Sequence, residues 1–200
     1  MKKSTFLGKF RYFYLLILIS VPIVMYYQLH KGSNVENVGV RLGGKFTLTN
    51  QENIRVSNND MQTDYLLIFF GFTNCHMVCP TGMDNISNAL KALDSNLLEK
   101  VTPIFITIDP ERDDSETIKE FLTPFHKKFI GLTGSQTEIQ TLVKEFGVFS
   151  SKEELDENND YQVNHSSYIY LTSREGDYIA HNFYNVDTKN LTEFLQKYLN

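Results

Sequence analysis

The chain has 200 residues, of which 42% are hydrophobic, and its formal net charge at pH 7 is −5. This length is sufficient for one domain with a sizeable core, together with shorter flanking segments. The excess of acidic residues argues against nucleic acid and against an anionic lipid surface as binding partners.

The first 29 residues predict a membrane anchor. Residues 1–11 carry four basic residues and no acidic residue, and residues 12–29 contain no charged residue. A span of this length is close to the lower limit of about 17 residues for crossing a bilayer. Basic residues before the span place the N-terminus in the cytoplasm. A cleaved signal peptide is the alternative, but residues 25–29 are bulky and offer no small-residue cleavage site.

The sequence therefore divides into a cytoplasmic basic tail (1–11), a single transmembrane helix that serves as signal anchor (12–29), a tether (30–40) and a domain (41–200). We expect a bacterial protein of the cytoplasmic membrane, with the domain on the periplasmic or extracellular side. The N-terminal segment is too short to hold a mitochondrial transit peptide as well as the anchor.

The domain begins with a predicted β-hairpin. Gly43 and Gly44 precede an alternating segment at 46–48, and residues 54–56 are its expected partner strand. This hairpin precedes the predicted core as an N-terminal addition.

An unbroken apolar run at 65–70 predicts the central strand. The run is too short for a helix and ends at Gly71, which is typical of a strand buried on both faces of a sheet. The chain then turns and reaches its only two cysteines, Cys75 and Cys79. Pro80 follows, and because proline is tolerated in the first turn of a helix, a helix should begin close to the cysteines.

The cysteines predict a redox or metal site at this strand-to-helix corner. The positive end of a helix dipole lowers the pKa of a nearby thiol and favours the thiolate. Residues four apart lie on one helix face, so the two sulfurs could bind one metal ion or close a disulfide. A purely structural disulfide is less attractive, because so short a loop constrains little of the unfolded chain.

The rest of the chain alternates between predicted strands and helices. In order, these are a strand at 101–108, an acidic loop from Asp109, a helix from Ser115 that Pro124 should end, an apolar step at 129–132, a helix from Gly134, a solvated loop at 151–160, strands at 168–171 and 178–183, and a C-terminal helix.

This order predicts an α/β protein with a thioredoxin-like fold, an N-terminal β-hairpin extension and a preceding transmembrane helix. Sites in such sheets form beyond the carboxyl ends of the parallel strands. If the strand at 168–171 runs antiparallel to them, its start lies at the same edge, and His165 would reach Cys75 and Cys79. The alternative is a surface histidine that caps the strand. Two thiolates and one imidazole suit copper in either oxidation state, with zinc as the rival.

Several segments together resemble the Sco/SenC family of membrane-anchored copper proteins. They are GGKFTL, LLIFFGFTNCHMVCP, PIFITIDPERDDSETI, FIGLTG and YQVNHSSYIYLTSREGDYI. The resemblance extends from about residue 43 to the C-terminus. A C-x3-C spacing alone is weak evidence, but its combination with GFT before it, TIDPERD, LTG and V-x-H before a strand is specific.

The resemblance implies one copper ion, Cu(I) or Cu(II), bound by Cys75, Cys79 and His165. It implies a metallochaperone that helps to mature the dinuclear copper centre of cytochrome c oxidase subunit II, by delivering copper or by reducing the cysteines that receive it. Other copper chaperones would be further partners. Asp109 matches the acidic loop of the family and would orient a ligand or meet the partner. The alternative for Asp109 is to cap a helix or form a loop salt bridge, and this is the expected role of Asp113.

One departure from the family pattern lies between the cysteines. The family usually has Pro-Asp after the first cysteine, whereas this chain has His76 and Met77. Either residue could add a copper donor. The simpler interpretation is that His76 points outward and Met77 packs against the protein.

Three other functions use the same residues. The leading alternative is a thiol-disulfide reductase in which Cys75 and Cys79 are the attacking and resolving thiols. Against it are the three-residue spacing, the absence of tryptophan from the chain and the lack of a role for His165. A copper-dependent redox sensor would use the same three ligands. A peroxidase is disfavoured, because Phe72 stands where a peroxiredoxin needs threonine.

Overall fold

The computed structural model describes residues 42–154 and 161–200. The predicted tail, transmembrane helix and tether, at 1–11, 12–29 and 30–40, lie outside the described residues. Among the residues that are described, no helix is both long and apolar enough to cross a bilayer.

The described residues form a sheet of seven strands with helices packed on it, and a separate sheet of two strands. The strands are β1 (Thr47–Asn50), β2 (Arg55–Ser57), β3 (Tyr65–Gly71), β4 (Val101–Thr107), β5 (Ile130–Thr133), β6 (Ser150–Lys152), β7 (Val163–His165), β8 (Tyr168–Ser173) and β9 (Tyr178–Phe183). The helices are α1 (Val78–Ala92), α2 (Ser95–Leu98), α3 (Ser115–Leu122), α4 (Gln136–Glu145) and α5 (Thr188–Leu199), with a 3-10 turn at Asn58–Asp60.

The centre of the main sheet is the parallel pair β3 and β4, which starts with Tyr65 beside Val101 and ends with Gly71 beside Thr107. Every residue of β4 is buried, and β3 is buried after Tyr65, as their apolar sequences predict. Strand β8 pairs antiparallel with β3 on its other side. The start of β8 therefore lies at the edge where β3 and β4 end, which is the condition on which the predicted position of His165 depended.

The N-terminal hairpin extends this sheet. Strands β1 and β2 pair antiparallel, and β1 also pairs antiparallel with β5. The strand order is β2-β1-β5-β4-β3-β8-β9. The main-chain N–H of Phe46 donates a 2.6 Å hydrogen bond to Oδ1 of buried Asn58, which fixes the entrance to the hairpin. The prediction of a hairpin is confirmed, although both strands begin one residue later than predicted.

The first helix begins where the cysteine corner requires it. Helix α1 starts at Val78, so Pro80 lies in its first turn, where its missing N–H has no intrahelical partner to lose. One face of the helix is fully buried and includes Met83, Ile86, Ala89 and Leu90. This apolar stripe at helical spacing holds α1 in place and so fixes the position of the cysteines.

Two later helices have boundaries that follow from their sequences. Helix α3 ends at Leu122, because Pro124 cannot continue a helix. Helix α4 begins after Ser135, whose N–H donates to the carboxylate of Glu138 at 2.8 Å, while the Ser135 hydroxyl accepts from the N–H of Glu138. This capping box satisfies donors that the start of the helix would otherwise leave unpaired.

The predicted solvated loop at 151–160 is wrong at its beginning. Residues Ser150–Lys152 form strand β6, which pairs antiparallel with β7 (Val163–His165) in a small sheet of its own. Residues 155–160 lie outside the described part of the chain. Because β6 is exposed throughout and polar, it lacks the alternation that would identify a strand. His165 is therefore the last residue of a short strand that precedes β8.

Candidate metal centre

The cysteine corner follows directly from the end of β3. The chain leaves the sheet after Gly71, and the N–H of Cys75 donates to the carbonyl of Phe72 at 3.3 Å, which closes a turn. Cys79 then lies in the first turn of α1. Cys75 is partly exposed and Cys79 is completely buried, and both are free thiols. The corner thus has one partly exposed sulfur, that of Cys75, and one buried sulfur, that of Cys79.

Gly71 makes room for the buried sulfur. A Cβ atom at this position would lie 2.7 Å from Sγ of Cys79 and 3.0 Å from the ring of Phe105. Such separations are far shorter than a van der Waals contact, so any larger residue would displace the sulfur or the ring. The glycine that ends the apolar run is required by this close approach.

Asp113 anchors the loop that leads to Cys75. Its side chain is buried and accepts hydrogen bonds from the N–H and hydroxyl of Thr73, at 3.0 and 2.6 Å, and from the hydroxyl of Thr107 at 2.6 Å. Burial raises the pKa of Asp113, and the hydrogen bonds from Thr107 and Thr73 act in the opposite direction.

The expectation that Asp113 caps a helix or forms a salt bridge is wrong. The helix cap is the next residue, Asp114, which accepts from the N–H of Thr117. Sequence reasoning missed the role of Asp113 because its partner Thr73 is 40 residues away. The only available signal was two adjacent acidic residues at the start of one helix, which needs a single cap.

His165 reaches the cysteines from the other side of the site. Its Nε2 lies 3.7 Å from Sγ of Cys79, and its Nδ1 lies 3.1 Å from the carbonyl oxygen of Ser166. A carbonyl can only accept, so Nδ1 donates this hydrogen bond, and Nε2 is the ring nitrogen that faces the sulfurs. The ring of Phe72 meets the His165 ring edge-on at 5.9 Å between centroids. The histidine is therefore oriented as a ligand.

The three side chains converge as predicted. The ligand atoms of Cys75, Cys79 and His165 all lie within 4.8 Å of one another. Within residues 42–154 and 161–200, this is the only group of three or more such side chains close enough to share an ion. Two sulfurs and an unprotonated imidazole nitrogen form a soft donor set, and the donors present fit copper. The interpretation of His165 as a mere strand cap is not supported.

The two thiols are hydrogen-bonded to each other. A hydrogen bond from the Cys79 thiol stabilises the Cys75 thiolate and lowers the pKa of Cys75 to about 3. The same hydrogen bond, together with burial, raises the pKa of Cys79. The N–H of Cys79 also donates to Sγ of Cys75 at 3.4 Å. The predicted lowering at a helix N-terminus is thus present for Cys75, but the neighbouring thiol is its largest cause.

Asp109 is buried at the same edge of the sheet, and its carboxylate accepts hydrogen bonds from Arg112 and Tyr161 instead of from the three ligands. One carboxylate oxygen accepts from Nε of Arg112 at 2.6 Å, and the other accepts from the hydroxyl of Tyr161 at 2.8 Å. Lys152 is 3.9 Å from the second oxygen. Any influence of Asp109 on the ligands must therefore pass through these neighbours.

His76 and Met77 are both on the surface. His76 is exposed, as expected, but the prediction that Met77 packs against the protein is wrong, because 75% of this residue is exposed. Met77 is the N-cap of α1 and so precedes the residues that form the buried face of the helix. Its thioether is therefore open to solvent beside the cysteine corner.

Together, the sheet, the cysteine corner and the converging histidine define a thioredoxin-like domain with a soft-donor metal site. The profile of the SCO1/SenC family matches residues 35–200, and the chain belongs to this family. It is 36% identical over 165 residues to a SCO2-like protein of Rickettsia prowazekii, covering 82% of this chain and 80% of the relative. It is 37% identical over 139 residues to the mitochondrial SCO1 homologue of Homo sapiens, covering 69% and 46%.

Solved structures of similar proteins share this fold, and one of them has copper bound. The structure of Arabidopsis thaliana ScoI with copper bound matches with a TM-score of 0.72 at 35% identity, covering 78% of this chain and 96% of that one. BsSco, described as a member of the Sco family of cytochrome c oxidase assembly proteins with a disulfide switch, matches with a TM-score of 0.61 at 25% identity, covering 77% and 91%. The α/β thioredoxin-like fold is confirmed, and the three donors of this chain form a candidate single copper site.

Proposed function

We propose that this protein binds one copper ion and serves the assembly of cytochrome c oxidase. It delivers the copper to the dinuclear copper centre of subunit II, or prepares the cysteines of that centre to receive it. The observation that carries the proposal is the convergence of Cys75, Cys79 and His165 within 4.8 Å. The copper in the Arabidopsis relative and the assembly role stated for BsSco support it.

Each ligand has a distinct role in this proposal. Buried Cys79 is the fixed ligand, because α1 and the close approach of Gly71 hold its sulfur in place. Cys75 is partly exposed and is the sulfur that a receiving protein can reach. His165 completes the site with Nε2. Copper is the cargo, and because its binding displaces thiol protons and requires an unprotonated imidazole nitrogen, affinity should fall in acid.

The proposed location is the bacterial cytoplasmic membrane. Residues 12–29 would anchor the chain, and the domain would face the periplasm or the cell exterior, where subunit II and other copper chaperones would be its partners. The similarity to Rickettsia relatives supports a bacterial protein.

Thiol-disulfide exchange is the second candidate function, and the unequal exposure of the cysteines favours it. The Cys75 thiolate would attack a disulfide of the partner and form a mixed disulfide, releasing one partner thiolate. Cys79 would lose its proton and attack Sγ of Cys75, releasing the second partner thiolate. The partner is then reduced by two electrons, and this protein holds a Cys75–Cys79 disulfide. A copper-dependent sensor would use the same three ligands without delivery.

Copper stoichiometry of the full chain in detergent tests the proposal. The reduced protein should bind one copper per chain, and Cys75→Ser and Cys79→Ser should each abolish tight binding. His165→Ala should weaken binding by at least about tenfold and change the spectrum. His181→Ala is the matched control, because His181 is exposed on β9 and bonds Tyr178 instead of the cysteines.

Two results would contradict the proposal. If His165→Ala bound copper with unchanged affinity and spectrum, the three-donor site would be wrong. If the protein bound no copper but reduced disulfides with Cys75 and Cys79 alone, the thiol-disulfide reductase would be the correct function.

A further inference from the structure

Strand pairing does not attach the β6–β7 hairpin, which carries His165, to the main sheet. Strands β6 and β7 form a two-stranded sheet that makes no strand pairing with the main sheet. An isolated hairpin of two strands is at best marginally stable in water. On the C-terminal side of His165, the carbonyl of Ser167 accepts from the N–H of Tyr184, which follows β9 of the main sheet. The rest of the hairpin depends on side-chain contacts that hold it against the domain. One such contact is made by Val163, which is 7% exposed and packs in the core.

A second attachment joins the hairpin to the loop after β4. Nε of Arg112 donates to Asp109 at 2.6 Å, and the guanidinium lies 3.7 Å from the centre of the Tyr161 ring. The Tyr161 hydroxyl donates to Asp109 at 2.8 Å, and Nη1 of Arg112 donates to the Tyr161 carbonyl at 3.0 Å. Asp109, Arg112 and Tyr161 thus contact one another pairwise, and we refer to them as the clasp.

Strand β6, the other strand of the hairpin, also contacts the clasp through Lys152. Nζ of Lys152 in β6 lies 2.6 Å from Glu111, 3.9 Å from Asp109 and 4.6 Å from the centre of the Tyr161 ring. Both sides of the hairpin are therefore attached to the loop after β4. The side chain of Asp109, at the centre, is completely buried.

Arg112 of the clasp also faces Phe72, a residue of the cysteine corner. The Arg112 guanidinium lies 5.8 Å from the centre of the Phe72 ring, and that ring meets His165 edge-on. Phe72 belongs to the cysteine corner, and Tyr161 precedes His165 by four residues on the hairpin. Arg112 therefore lies between the cysteine corner and the hairpin that supplies the third ligand.

We propose that Asp109, Arg112 and Tyr161 are positioning residues that hold His165 against the two cysteines, and that the clasp thereby sets the rate at which bound copper leaves. This inference rests on the proposed copper-binding function. While the clasp is closed, three donors hold the metal. When it opens, the hairpin can move with His165, and two thiolates remain.

The burial of Asp109 explains why the clasp should stay closed. A buried carboxylate is stable only while charged or hydrogen-bonding partners compensate it, so Arg112 and Tyr161 cannot both leave without water entering. In this arrangement Asp109 affects the ligands indirectly, through Arg112 and Tyr161. A receiving protein that contacts Tyr161 or Lys152 could therefore promote release without touching a ligand.

The experiment compares Tyr161→Ala, Tyr161→Phe and Arg112→Lys in the full chain. Hydrogen exchange of the metal-free protein reports the hairpin directly, and the absorption spectrum of the copper-loaded protein and its release to a chelator report the ligand. We expect Tyr161→Ala to speed exchange at 163–165 and copper release by at least about tenfold each, with no change in β8. Tyr161→Phe keeps the ring under Arg112 and should lie between wild type and Tyr161→Ala.

Arg55→Ala is the matched control. Arg55 also pairs with a carboxylate, that of Glu138 at 2.7 Å, but this pair is exposed and joins β2 to α4. Removing it should change neither measurement. If Tyr161→Ala fails to fold, Arg112→Lys and Tyr161→Phe carry the same readouts, because both keep most of the packing.

Several outcomes would overturn the inference. Faster exchange with an unchanged copper spectrum and release rate would mean that the clasp only stabilises the hairpin. Unchanged exchange and release in all three variants would mean that the clasp does not hold the hairpin at all. In both cases a strong effect of His165→Ala would leave the proposed copper function intact. Copper binding that is insensitive to His165→Ala would instead overturn the proposed function, and this inference with it.

Discussion

Replacing Asp113 by alanine should lower the free energy of unfolding by about 3 kcal/mol, because it removes a buried acceptor of three hydrogen bonds. The hydroxyl of Thr107 is fully buried and would lose its acceptor without access to water, although it still accepts from the N–H of Asp109. Thr73 is partly exposed, so water can satisfy part of its loss. Chemical denaturation of the metal-free, reduced protein measures the change.

The same substitution should weaken copper binding by at least about tenfold, because Thr73 lies in the loop that places Cys75. Asp114→Ala is the matched control, since Asp114 is adjacent in sequence but exposed and caps only α3. The loss of that cap should cost about 1 kcal/mol and leave copper binding unchanged. Equal losses of stability and copper affinity for both variants would show that Asp113 has no special role at the site.

Replacing Gly71 by alanine should be the most damaging small change at the cysteine corner. The backbone of Gly71 is not in the left-handed region, so the effect comes from packing alone. The new Cβ would lie 2.7 Å from Sγ of Cys79, and overpacking of this kind costs about 1–3 kcal/mol. Because the displaced atom is a ligand, copper affinity should fall together with stability. Thermal unfolding and copper titration of the same preparation measure both quantities.

Gly131→Ala provides a comparison of the same chemistry elsewhere. A Cβ at Gly131 would collide with Ile118 and Leu122 of α3, neither of which is a candidate ligand. We expect a similar loss of stability and an unchanged copper spectrum. If Gly71→Ala also left the spectrum unchanged, Cys79 would have room to move without loss of coordination, and its fixed position would not matter for binding.

The parts of this structure that sequence predicted are those governed by local patterns. The apolar run of β3, the position of Pro80 and the order of strands and helices were sufficient to locate Cys75 and Cys79 at a corner of the sheet. The antiparallel direction of β8 then brought His165 to that corner over a separation of 86 residues from Cys79. The resemblance to Sco/SenC supplied the ligand set, and the geometry agrees with it.

The parts that sequence missed depend on contacts between distant segments. Strand β6 is polar and exposed, so nothing in its composition distinguishes it from a loop. Asp113 acts through Thr73, which no local motif connects with it. Met77 was expected to pack because methionine usually does, but its position at the N-cap of α1 leaves it in solvent. The contacts of Asp109 with Tyr161 likewise became visible only in the folded chain.

Copper binding and thiol-disulfide exchange depend on the same two thiolates. A Cys75–Cys79 disulfide removes both thiolates, so oxidation of the pair and copper binding exclude each other. The partly exposed Cys75 is the common point of entry, as the attacking thiol in one reaction and as the ligand first exchanged in the other.

X-ray absorption at the copper edge tests most directly whether Cys75, Cys79 and His165 bind the metal. The sample is the reduced full chain loaded with one equivalent of copper. We expect two sulfur donors and one imidazole nitrogen, with the imidazole contribution lost in His165→Ala. A third sulfur donor in place of the imidazole, lost in Met77→Leu, would contradict this ligand set. Exposed Met77 would then be a ligand in place of His165. A copper surrounded only by nitrogen and oxygen would show that the cysteine corner is not the binding site.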